Sequence, residues 1–155
     1  MEGSETGSTE TPAGSEATGS DVENRAGRLV ATGDLAVVTG VVVIGGLTHG
    51  LNPLTQPLAV IWTVAPFVFG WVLAAAVLGA YGPTALGAPI RSLRIAAGAT
   101  LAAVAIGIVL RTSPAFPGGA AWPFPLVITA TLLVGVLAWR GLYHGLLAAR
   151  TGQSA

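Results

Sequence analysis

The chain of 155 residues is 52% hydrophobic and only 9% charged, with a mean hydropathy of +0.73. A water-facing globular surface takes roughly 25% charged residues, so the composition excludes an ordinary soluble enzyme and points to one compact domain surrounded by lipid. Net charge is zero but unevenly laid out: every acid lies within the first 34 positions, and every basic residue is an arginine.

Residues 1–28 are rich in Gly, Ser, Thr and Glu. Such a segment buries too little apolar surface to offset its ordering entropy, and the expectation is a disordered acidic cytoplasmic tail. It has neither the basic start nor the apolar centre of a signal peptide. Four apolar runs follow within a membrane domain over 29–146. They predict helices at about 30–51, 58–81, 92–111 and 122–143, with a short cytoplasmic tail over 147–155. A spanning helix takes about 20 mostly apolar residues. The second and fourth runs meet that length outright, while the first and third need their flanking residues.

Arginine placement orients the bundle. With the N-terminus cytoplasmic, Arg25, Arg28, Arg91, Arg94, Arg140 and Arg150 fall inside and only Arg111 outside, a positive-inside bias. Four spans then return the C-terminus to the cytoplasm. Trp122 and Trp139 bracket the fourth run, and Trp62 and Tyr81 the second, as interfacial rings do.

His49 and Arg111 close the first and third runs. Each is followed by a loop and then a run with a Pro-Phe pair, Pro66-Phe67 or Pro123-Phe124. The pattern suggests two similar hairpins in parallel orientation. Small residues four apart, Gly46 with Gly50 and Ala99 with Ala103 and Gly107, predict close helix packing, either inside one unit or between copies. Pro66 is expected to kink the second helix.

Candidates for chemistry are few. Without cysteine, thiol chemistry is excluded, and no metalloprotease, phosphate-loop or nucleophile-base motif is present. No cofactor and no nucleic-acid partner are expected. Asp34, His49, Arg111, Trp122 and Arg140 are the candidate functional or helix-end polar residues. Asp34 reads as a helix N-cap or as a partner for Arg94, with a functional role left open. Arg111 suits the dipole of a helix C-terminus. Arg140 and Tyr143 read as interface anchors. Thr39, Thr63, Thr100, Thr129 and Thr131 supply the polarity mid-helix, and in membrane helices such hydroxyls mostly bond their own backbone.

Taken together, Gly33-Asp34, Ile44-Gly45 with His49, Ala65-Pro66-Phe67, Gly70-Trp71, Arg111, Trp122-Pro123-Phe124 and Trp139-Arg140 resemble the domain-of-unknown-function 3054 family of small prokaryotic membrane proteins, over about Asp34 to Tyr143. The family pattern often has Gly-Arg before the histidine, where this chain has Gly46-Leu47. The resemblance implies a multi-helix integral membrane protein and supplies no substrate.

The sequence therefore predicts an all-α, four-span protein of the cytoplasmic membrane, with membrane lipids, a second copy or another membrane protein as partners. The leading functional expectation is a non-enzymatic structural or accessory component. The alternative is a small oligomeric transporter or channel, and a headgroup-directed membrane enzyme at the His49, Arg111 and Trp122 rim ranks third.

Overall fold

A chain crossing lipid must satisfy its backbone N–H and C=O groups internally, which leaves helices or closed barrels. This chain takes the helical solution. The computed structural model describes residues 14–116 and 118–152. Among them α1 spans Gly14–Thr48, α2 Pro57–Val77, the single-turn α3 Pro83–Leu86, α4 Pro89–Arg111 and α5 Phe124–Gly152. All but α3 are long and apolar enough to cross a membrane. Even α2, the shortest of the four at 21 residues, extends about 32 Å against roughly 30 Å of hydrocarbon. The protein is a polytopic all-α membrane protein.

Helix ends differ from the expectation in both directions. Of the tail read as disordered, residues 1–13 lie outside the described residues, and 14–28 form the start of α1. Extending an existing helix costs far less than nucleating one, and the extension gains contacts of its own. Gly27 is buried there and packs on the Tyr81 backbone, where a Cβ would stand 3.2 Å from the carbonyl oxygen. At the other terminus α5 continues through 147–152, which the sequence reading assigns to a tail. Pro57, Pro83 and Pro89 each open a helix, where a missing N–H costs nothing and the fixed φ is already helical. Pro66 lies inside α2, buried, and the helix continues past it to Val77.

Two glycines stop helices by the same device. Gly50 (φ +86°) follows α1 and Gly79 (φ +59°) follows α2. At each, the next residue's N–H reaches back five residues, Leu51 to Gly46 O and Ala80 to Ala75 O, both at 2.9 Å. Only glycine takes this left-handed turn without strain. Within the chain the Gly46/Gly50 pair therefore serves as a C-terminal cap: Gly46 makes room for Leu51, the residue that folds back over the cap.

The four long helices form a ring. α1 packs against α2 and α5, and α4 against α2 and α5, while the backbones of the diagonal pairs stand further apart among the described residues. The α2–α4 side is the tightest. A Cβ on Gly70 would fall 2.4 Å from Ala103 O, and one on Gly107 would enter the Phe67 ring. Ala99, Ala103 and Gly107 are all buried on α4, so this stripe packs inside the unit, the first of the two uses its spacing allows. Val38, Val42, Phe67, Trp71, Leu132 and Val136 fill the centre. The two Pro-Phe pairs are not equivalent in position, since Pro66 lies mid-helix and Pro123 precedes α5; their rings meet each other, Phe67 on Phe124 with centroids 6.1 Å apart.

Candidate functional site

Two polar features lie at opposite ends of this ring. The first is built on Asp34. Its carboxylate is fully buried mid-helix in α1, twenty residues after the helix begins, so it caps nothing. Arg94, its other expected partner, is exposed on α4. The partner is Arg140 of α5. Arg140 Nη2 donates to Asp34 Oδ2 at 2.7 Å and Nε to Oδ1 at 3.3 Å, a two-pronged pairing that fits the planar guanidinium. Nη1 donates to Ala80 O at 3.2 Å and to Ser92 Oγ at 3.1 Å. Arg140 is thus no interface anchor: its side chain is 0% exposed.

Local structure explains how the surroundings reach it. The left-handed turn at Gly79 reverses the chain and aims the Ala80 carbonyl inward. It also carries Tyr81 back over α2. Trp71 donates its indole N–H to Tyr81 Oη at 2.8 Å, and the Arg140 guanidinium carbon stands 5.5 Å from the Tyr81 ring centre. Burial first, and the Asp34 carboxylate second, push the Tyr81 phenol up to about 12. The Trp139 ring lies where a Cβ of Gly33 would be, so it is half-buried against α1. Every long helix thereby contributes to one knot: Asp34 from α1, Trp71 from α2, Ser92 from α4 and Arg140 from α5.

The knot lies within the apolar depth of the bundle. Asp34 is 14 residues from the end of α1, or about 21 Å along the axis. Leu29, Leu142 and Leu146, beyond the pair, still expose apolar side chains. An ionised pair is stable at such a depth only with close geometry and satisfied hydrogen bonds. Four of the five guanidinium N–H groups are used. Chemically this is a latch that ties α1 to α5 and to the Ala80 and Ser92 backbone and hydroxyl oxygens.

The second feature is a crevice of about 640 Å³ at the other end, lined from all four long helices. His49 and Arg111, far apart in sequence, both line it, together with Thr63, Phe124, Ile128 and Thr131. The Arg111 Nε donates to Gly119 O at 3.0 Å, and its guanidinium lies 5.4 Å from the Phe124 ring centre. Trp122 is 77% exposed just before α5. Thr63, Thr100, Thr129 and Thr131 each donate to the carbonyl four residues back, as expected of membrane threonines. No group of three or more His, Cys, Asp or Glu able to hold a metal occurs among the described residues.

Residues 31–143 match the family described as protein of unknown function DUF3054. The chain belongs to this family. No curated protein and no solved structure matches it. The short motifs carrying the DUF3054 resemblance sort into the two features. Gly33-Asp34, Gly70-Trp71 and Trp139-Arg140 meet at the latch, whereas His49, Arg111 and Phe124 meet at the crevice. Ser92 and Ala80, which complete the latch of this DUF3054 chain, carry no sequence signal. A serine in a first turn and a backbone carbonyl look alike in any helix.

Proposed function

We propose that the protein is a non-enzymatic structural or accessory component of the cytoplasmic membrane, with both termini in the cytoplasm. The observation that carries the reading is the saturated Asp34–Arg140 pair, which spends the buried charge on joining helices and leaves none to transfer protons. The orientation is supported by exposed arginines. With Arg140 withdrawn into the bundle, Arg25, Arg28, Arg91, Arg94 and Arg150 still outweigh Arg111. Purification in mild detergent tests the role: co-isolation with lipid, a second copy or a partner supports it. A single species free of all three overturns it.

A small transporter is the second reading, favoured by one specific arrangement. The crevice, lined from all four long helices, ends against the packed side chains of Val42, Val38 and Leu132, with the charged latch beyond them, the form of a vestibule closed by an apolar plug. Solute or ion flux in liposomes, lost on His49→Ala, would establish it; a parent protein without flux removes it.

A further inference from the structure

We propose that the crevice at the His49 end binds an anionic phospholipid, its phosphate on Arg111 and one acyl chain between α1 and α5. The proposal is independent of the accessory reading and of which side of the membrane this end faces.

The cavity is concave, and its 640 Å³ lies in the range of about 300–1,000 Å³ typical of small-molecule sites. Its depth is apolar. Val41, Ile44, Val127 and Ile128 form the walls, and the three threonines lining it, Thr48, Thr63 and Thr131, have already given their protons to their own helices. A water-soluble anion would gain nothing from such walls. On the α1 side Gly45 contributes no side chain, and a Cβ there would meet nothing within 4 Å.

The rim carries the opposite character. Arg111 is held in place by Gly119 O and the Phe124 ring, and Nε is its one donor with a partner among the described residues. Both Nη groups remain to grip two oxygens of one phosphate, the geometry in which guanidinium excels. The contrast with Arg140 is instructive, because that arginine has its carboxylate. No acid follows Asp34 anywhere in the chain, so the counter-charge for Arg111 has to come from outside the protein. His49, on the facing wall, offers a second polar contact to a headgroup. A neutral lipid would leave Arg111 unanswered and a free phosphate would leave the apolar walls unfilled; an anionic phospholipid meets both.

The test is native mass spectrometry of the purified full chain in mild detergent. The protein is titrated with phosphatidylglycerol, with phosphatidylcholine of the same chains, and with inorganic phosphate as competitor. One phosphatidylglycerol is expected to stay bound with a preference of about tenfold over phosphatidylcholine. Arg111→Gln should bring the two lipids to parity, and Arg111→Lys should recover part of the preference. Gly45→Leu puts a side chain into the open space of the crevice. It should lose the bound lipid while its melting temperature holds or rises, since leucine is the better helix former. Equal retention of both lipids by the parent, a preference that survives Arg111→Gln, or full occupancy in Gly45→Leu would each overturn the proposal. Displacement by millimolar phosphate would also overturn it, in favour of a free-anion site.

Discussion

Asp34→Asn changes the shape of the latch by a single atom and removes its negative charge. The Arg140 guanidinium then remains fully buried, and the two bonds of 2.7 and 3.3 Å lose their charged acceptor. Hydrogen bonds to charged groups contribute about 1.5–3 kcal/mol each, and breaking one side of a buried pair costs about 3–5 kcal/mol. Here the amide oxygen can still accept one bond, and Ala80 O and Ser92 Oγ stay in place. The expected loss is therefore about 3 kcal/mol, at the low edge of that range. Replacing both partners tells more. Asp34→Leu with Arg140→Met removes the charges together, and the double variant should recover most or all of the stability lost by either single change. Unfolding by sodium dodecyl sulfate in mild-detergent micelles, followed by tryptophan fluorescence, measures all four corners of the cycle. A cost below about 1 kcal/mol for Asp34→Asn, or a double variant as unstable as the sum of the singles, would refute the reasoning.

Gly70→Val forces a branched side chain against the Ala103 carbonyl and should destabilise the bundle by at least about 1–3 kcal/mol in the same unfolding assay. Gly50→Ala places a Cβ on a left-handed residue and should cost about 1–2 kcal/mol, whereas Ala at Gly45 should be neutral or mildly stabilising. The Tyr81 phenol, with its pKa raised to about 12, keeps its proton longer in the folded than in the unfolded chain. Its contribution is complete below about pH 10 and lost as pH rises toward 12; Tyr81→Phe should flatten that decline in unfolding measured from pH 9 to 12. Because the chain has no native cysteine, single cysteines at Arg94 and Thr112 give a clean topology map: an impermeant thiol reagent should reach them from opposite sides of the membrane.

The spans were legible because length and apolarity alone decide which segments lipid accepts, and the threonine hydroxyls behaved as isolated helix groups do. The latch was not legible, for a physical reason. Asp34 and Arg140 were read by rules of local sequence, the helix dipole and the interfacial arginine, yet each is answered by a residue 106 positions away. One signal was available. Apolar Leu142, Leu146 and Leu147 continue beyond Arg140, so that arginine lies inside its span and needs a buried counter-charge; Asp34 is the one acid within an apolar run. The contact of Tyr81 with Trp71 was not legible because the apolar run passes through Gly79 without a break in hydropathy, while the backbone reverses there. His49 and Arg111 were matched by position within their runs, and the ring arrangement turns that match into a shared cavity.

The latch also sets an order of events at the ribosome. Its acid enters the bilayer with α1 and its base only with α5, so at roughly 5–20 residues per second the separation of 106 positions leaves the carboxylate waiting on the order of ten seconds. A nascent protein truncated before Arg140 would keep three greasy helices and an unanswered acid. Entry of α5 is thus registered chemically, by the arrival of one guanidinium.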